Sequence, residues 1–408
     1  MTQPLQVLYG GAHRFNAEAP RKLALLALET LDQYAPDAAR FAEMTGVDPA
    51  SADLVRAAVA RRLSQPAGFD DLRVDFEDGY GPRSDTEEDA HALAVGVSLA
   101  AVPDPAPRLG VRVKSMGPET RSRALRTLRA VIRACVEARG GLPQGFVVTL
   151  PKISRADEVS ALCAALQAEE RGLSLPEGLI GVELMVETPW SLSNVSSLVE
   201  TAGARLESLH LGAYDLLSAL QIRAEVQSLQ HPIVALARRQ LALMGAAASI
   251  RVSDGATTLL PVGPHRGALS EAQRSENREA VAAGWRRHIA DIWAGFDDGI
   301  RQGWDLHPNQ LVSRYAGVFS VQLAGLDGVL DRLGRFVQTA AQAVRAGAVF
   351  DDAATAQGLV AQTLAALDSG LIDEDTVASR VGVSVELLRG RSFAAMVGVR
   401  PRAPSVRP

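Results

Sequence analysis

The stretch that most constrains this chain is a short apolar run that ends in a carboxylate and is cut off by a proline, Gly181-Val-Glu-Leu-Met-Val-Glu-Thr-Pro-Trp190. An apolar run of this length suits a strand covered on both faces, as in a parallel sheet. Pro189 has no N–H to donate, so the ladder must stop there and Glu187 is expected at the strand's carboxyl end. The pattern returns in Leu206-Glu-Ser-Leu-His-Leu-Gly-Ala-Tyr-Asp215, which delivers Asp215 just past its own strand. In a parallel α/β barrel, strands present their carboxyl ends to one rim, where catalytic groups collect. Two carboxylates there make a hard-oxygen site suited to Mg2+, with Mn2+ also possible, while substrate and water fill the remaining positions.

The rest of the chain repeats the same unit. Strand segments, some with their rim turns, are read at residues 6–9, 72–82, 108–113, 145–152, 181–187, 206–215, 248–256 and 303–308. Helical periodicity fills the intervals at 18–34, 50–63, 86–101, 119–139, 156–171, 191–201, 233–244, 276–296 and 309–323. Eight strand-then-helix units fit a closed (β/α)8 TIM barrel better than an open doubly wound sheet. We therefore expect an α/β fold with a barrel over residues 1–325, a helical C-terminal extension over 326–400, and a disordered Pro- and Arg-rich tail over 401–408. Ala and Leu dominate the extension, and one barrel does not need its apolar faces, so a homo-oligomer is expected to bury them.

Composition narrows the partners. With 47% hydrophobic and 22% charged residues, no window approaches the roughly 20 uninterrupted apolar residues of a membrane span. The N-terminus lacks a basic region leading into an apolar one, so the expected location is the cytoplasm. A net charge of −5 gives no footprint for nucleic acid, and the expected partner is a small molecule. Cys135 and Cys163 have no Cys or His at metal-ligand spacing and read as buried free thiols.

Several rim positions carry chemistry. Asp75, Glu77 and Asp78 crowd three carboxylates behind the second strand, either as a solvated acidic turn or as a site whose repulsion a cation or donors must offset. Arg112 and Lys114 end the third strand. The guanidinium is either one half of a structural ion pair or a fork for a substrate carboxylate. Lys152 follows the fourth strand, and the Gly10-Gly11-Ala-His13 turn follows the first. The loop over residues 260–268 is long enough to act as a lid or binding segment. His210, His231 and His307 read as structural hydrogen-bonders.

Taken in order, Val74-Asp-Phe-Glu-Asp-Gly79, Val111-Arg-Val113, Leu150-Pro-Lys152, Val186-Glu-Thr188, Leu211-Gly-Ala-Tyr-Asp215 and Leu306-His-Pro-Asn-Gln310 resemble the HpcH/HpaI aldolase and citrate lyase beta-subunit family. The resemblance covers roughly residues 5–325. It implies a Mg2+-dependent barrel that makes or breaks a carbon–carbon bond beside a 2-oxo acid or an acyl-CoA-type thioester. Residue by residue, Glu187 and Asp215 match the metal-binding carboxylates, Arg112 the arginine for the substrate carboxylate, and Glu77 with Asp78 a rim motif near the metal. Gly212 and Lys152 fall in matched motifs and are candidates for substrate binding. The chain departs from the pattern at Ala213-Tyr214, where a phenol stands beside the second ligand.

The expected reaction is carbon–carbon lysis through a metal-stabilised enolate, with His13, Asp78 or a metal-bound hydroxide as the base. Two alternatives stand beside it. One is a Schiff-base aldolase using Lys152 or Lys114. The other is a barrel that binds a metal and an oxo acid without turnover.

Overall fold

In a computed structural model of the chain, which describes residues 4–345 and 353–390, eight parallel strands close into a barrel in sequence order. They are β1 (Gln6–Gly11), β2 (Asp71–Asp75), β3 (Arg108–Arg112), β4 (Val147–Leu150), β5 (Gly181–Val186), β6 (Leu206–Leu211), β7 (Arg251–Ala256) and β8 (Gln302–Asp305). Each pairs with its neighbour in sequence. The ladder from Gln6↔Gly303 to Leu8↔Asp305 joins β1 to β8 and closes the sheet. The (β/α)8 barrel read from the strand-then-helix repeat is the fold observed. Strands β2, β4 and β5 are buried end to end, as a sheet covered on both faces requires.

The first crossover holds three helices, α1 (Ala19–Tyr34), α2 (Ala38–Thr45) and α3 (Ala52–Leu63). Helix α2 was not anticipated, although its ends carry the usual signals. The Asp37 carboxylate accepts from the Arg40 N–H at 2.8 Å, and Gly46 closes the helix at φ 77°. The later crossovers are α4 (Asp85–Ala101), α5 (Arg121–Arg139), α6 (Ala156–Gly172), α7 (Pro189–Ser193) with α8 (Val195–Ala202), α9 (Ala213–Ala219) with α10 (Pro232–Ala248), and α11 (Glu271–Asp297). Helix α12 (Gln310–Leu323) follows β8. The single helix expected at 191–201 is divided at Asn194, and Asp215 lies in the first turn of α9 rather than in a loop.

The barrel interior is layered. Near the rim, Val7, Tyr9 and Met185 pack together with Trp304 against them. One inward layer below, the fully buried Arg73 donates from Nε and Nη2 to the Glu183 carboxylate, both at 2.7 Å, and also pairs with Asp71. Thr149 and Ser208 donate to Glu183 at 2.8 and 3.0 Å. A buried ion pair is tolerable only when its lone pairs and protons are used in this way.

The chain forms two compact units. Of the described residues, 4–47 and 59–317 form the barrel unit, and 48–58 group with 318–345 and 353–390. Within the second unit, α13 (Leu326–Arg345), α14 (Ala353–Asp368), α15 (Glu374–Val381) and α16 (Val385–Arg389) build a core of their own from Leu330, Leu333, Val360, Val377, Val381 and Leu388. These apolar faces, from which an oligomer was inferred, cover one another, so the inference loses its premise. The 401–408 tail lies outside the described residues. Among those described, no helix is long and apolar enough to cross a membrane.

Candidate active site

The carboxyl ends of the strands bring the candidate residues to one rim. Asp75 closes β2 and is 1% exposed. Its Oδ1 accepts from the Arg112 Nε at 2.7 Å and the Glu77 N–H at 2.9 Å, and its Oδ2 from Arg112 Nη2 at 2.5 Å and the Gly79 N–H at 2.7 Å. All four contacts are to donors, so Asp75 is a positioning residue that clamps the β2 loop to Arg112. The Arg112 fork is therefore already engaged by this pair. Its remaining Nη1 edge lies 3.5 Å from Asp78 and 3.6 Å from both Glu77 and the Met185 Sδ. The guanidinium rests over Tyr9, 5.0 Å from the ring centroid.

Lys152, just past β4, has a left-handed backbone at φ 53°, which costs a non-glycine residue free energy. That conformation aims its N–H at the Glu187 Oε1, at 2.5 Å, while Nζ reaches Asp78 at 2.7 Å and also Glu77. Although burial favours a neutral amine, the hydrogen bonds it donates to Asp78 and Glu77 hold the ammonium above its ordinary range. Burial and the hydrogen bond with Asp78 push Glu77 up to about 7, against the pull of Arg112 and Lys152. Burial alone would raise Asp78 too, but contacts to Glu77 and Lys152 outweigh it and lower that group.

Glu187 is 1% exposed, and burial, reinforced by the charge of Asp215, pushes its carboxyl up to about 7. Its Oε2 is buried with no hydrogen-bond partner. The side chain lies against Gly212, where a Cβ would come within 2.3 Å of the Glu187 Cβ and 2.4 Å of Oε2. Asp215 is exposed on α9, and its carboxyl is raised by burial and by Asp78 against the pull of Lys152 and Arg112. An orphaned carboxylate oxygen, a second carboxylate whose charge helps raise it and a glycine notch fit a hard cation. Among the described residues no group of three or more His, Cys, Asp and Glu forms a ready cage, so substrate and water would complete the coordination. Gly212→Ala is expected to displace Glu187 and weaken Mn2+ binding at least about tenfold. Titration calorimetry reads this directly, and unchanged affinity would remove Glu187 from the ligand set.

The β5 loop is held where it is needed. Thr188 caps α7 by accepting from the Ser191 N–H at 3.0 Å and donates to the Ile153 carbonyl at 2.6 Å, tying the loops after β4 and β5 together. Tyr214 meets the Thr258 hydroxyl at 3.2 Å, so its phenol supports the loop after β7. The loop expected to be a lid is pinned: Asn277 accepts from the His265 N–H at 2.9 Å, and Asn309 donates to the Pro261 carbonyl at 2.9 Å.

Other candidates separate cleanly. Lys114 lies 2.9 Å from Glu88 and donates to the Phe76 carbonyl at 2.8 Å. His210 meets Ser208 at 2.9 Å, His231 caps α10, and His307 accepts from the Asn309 N–H at 3.2 Å, all structural contacts. Cys135 and Cys163 are free. His13 differs, because its Nδ1 is buried without a partner, and burial with nearby Arg83 and Arg14 keeps the ring neutral. Sequence reasoning missed a cavity of about 810 Å3 beside Arg112 and Asp78, walled partly by Tyr9 and Trp304. The available signal was two aromatics near the carboxyl ends of the first and last strands.

Solved structures share this architecture at low identity. A citrate lyase of Burkholderia xenovorans LB400 is 19% identical, with 94% of this chain and 97% of that chain covered at a TM-score of 0.60. A malate synthase of Haloferax volcanii, solved as a pyruvate/acetyl-CoA ternary complex, is 15% identical over 98% of each chain at 0.51. At these identities the likeness establishes the fold. No curated protein matches the sequence. A family model described as "Domain of unknown function (DUF6986)" matches residues 1–396, and the chain belongs to that family.

Proposed function

We propose that this protein is a Mg2+-dependent carbon–carbon lyase of the aldolase and citrate-lyase type, acting on a 2-oxo acid or acyl thioester through an enolate. The observation that carries the reading is the buried, unpartnered Glu187 Oε2 beside Gly212, its carboxyl raised by burial and by the charge of Asp215. Glu187 and Asp215 would hold the cation, which when bound supplies positive charge where the enolate oxygen gathers negative charge. Arg112 offers its Nη1 edge to the substrate carboxylate, kept in register by Asp75. Lys152 offsets Glu77 and Asp78 and orients Glu187 through its own N–H. His13, neutral and with a free Nδ1, suits the proton transfer to or from the hydroxyl of the cleaved bond.

The lysine route is disfavoured because a Schiff base needs a neutral amine, and Lys152 is held charged by two carboxylates. Pyruvate is the first substrate to offer, since the same barrel in the Haloferax malate synthase was solved with it. In deuterated water with Mg2+, the protein is expected to exchange the pyruvate methyl protons, and EDTA or Asp215→Asn should abolish the exchange. Exchange that survives EDTA and is trapped by borohydride would move the assignment to Lys152. No exchange with any 2-oxo acid or thioester would leave a binding protein without turnover.

A further inference from the structure

The cavity beside Arg112 continues outward between β1 and α1, where a barrel would ordinarily be packed solid. Its origin lies in strand alternation. Val7 and Tyr9 point into the barrel with Met185, so Leu8 and Gly10 face the helix layer. At Gly10 that layer is left unfilled, because a Cβ there would meet no atom within 4 Å. Leu23 and Leu26 of α1 form the opposite wall, and Leu26 is 39% exposed although it faces this space. The inner end reaches Arg112 and Asp78, the groups placed beside the 2-oxo acid. At about 810 Å3 the space is of the size that receives a whole small molecule, roughly 300–1,000 Å3.

We propose that this cavity binds the second substrate, and that this substrate is an aldehyde whose carbonyl carries a bulky apolar body, aromatic or branched aliphatic. The inference rests on the enolate reading above. A base takes a proton from C3 of the 2-oxo acid, and the electron pair left on that carbon forms the new bond to the aldehyde carbon. The carbonyl π pair moves to the aldehyde oxygen, which gains a proton, and the product is a 4-hydroxy-2-oxo acid. Cleavage is the same step reversed. The apolar class follows from the Leu8, Leu23 and Leu26 walls. Two cations along the cavity, Arg14 and Lys22, are exposed and would favour a phosphate-bearing thioester instead.

The test pairs pyruvate and Mg2+ with benzaldehyde or acetaldehyde and measures the 4-hydroxy-2-oxo acid by mass spectrometry. Gly10→Leu fills the cavity from the strand and is expected to lower kcat/KM for benzaldehyde relative to acetaldehyde at least about tenfold. Ala19→Leu, which narrows it from α1, should move the ratio the same way and stands in if the first variant does not fold. An unchanged ratio in a folded variant overturns the proposal. So does a parent enzyme that accepts acetaldehyde but not benzaldehyde, or one that condenses acetyl-CoA in place of either. A parent that fails to exchange pyruvate protons removes the enolate reading and this inference with it, whereas intact exchange with an unchanged ratio removes this inference alone.

Discussion

Glu187→Gln is expected to lower Mg2+-dependent pyruvate exchange at least about 100-fold, because it would remove one of the two charges proposed to hold the cation and leave the other exposed on α9. The same substitution carries a stability signature in metal-free protein. Burial and Asp215 lift the Glu187 carboxyl from an ordinary 4.5 to about 7, so the folded state binds more protons than the unfolded state between those values. Stability of the parent in EDTA should therefore fall as pH rises from 4.5 to 7, with a contribution from this group of roughly 3 kcal/mol. Glutamine cannot ionise and should remove that part of the fall. Urea unfolding of parent and variant at pH 5 and pH 8 gives the difference, and cation-induced protection should be lost in the variant. A variant that keeps both its metal response and its turnover would take Glu187 out of the site.

The fold was legible because a strand buried on both faces leaves a local trace. Val147–Leu150 and Gly181–Val186 are short apolar runs stopped by Pro151 or by Thr188-Pro189, and the residue at each stop necessarily lands on the rim. That is why Lys152 and Glu187 could be placed together: the lysine N–H and the glutamate Oε1 meet across adjacent strand ends. What could not be read is which distant partner each charge chooses. Arg73 binds Glu183 across the barrel interior and Arg112 binds Asp75 on the neighbouring strand, and nothing in either arginine's own stretch of sequence distinguishes a structural pair from an open binding fork. The helices of the extension were read, but not what covers them, for a related reason. Apolar helix faces announce that they must be buried, but Leu330, Val360 and Val381 find one another within the chain. The cavity at Gly10 was missed for the opposite cause, since on its helix-facing side it is left by a side chain that is absent.

Arg112 can be both a structural partner and a substrate contact, and two substitutions separate the roles. Asp75→Asn keeps the shape but replaces one acceptor with an NH2 group that faces the donors of Arg112 or Gly79. It takes from the 3%-exposed Arg112 guanidinium its bidentate counter-charge and leaves only the longer contacts to Glu77 and Asp78. Breaking a buried pair from one side typically costs about 3–5 kcal/mol, so urea unfolding should show a loss of that order. Arg112→Lys retains the charge, and a lysine can still approach Asp75, so its loss of stability should be smaller. It forfeits the Nη1 edge, however, and with it a charge-assisted hydrogen bond to the substrate carboxylate worth roughly 1.5–3 kcal/mol. The lysine variant should therefore raise the pyruvate KM for proton exchange at least about tenfold while most molecules remain folded. A lysine variant that is destabilised but exchanges pyruvate with the parent's KM would assign Arg112 to the Asp75 clamp alone. The carboxylate of the substrate would then have to be held by Lys152 or by the cation.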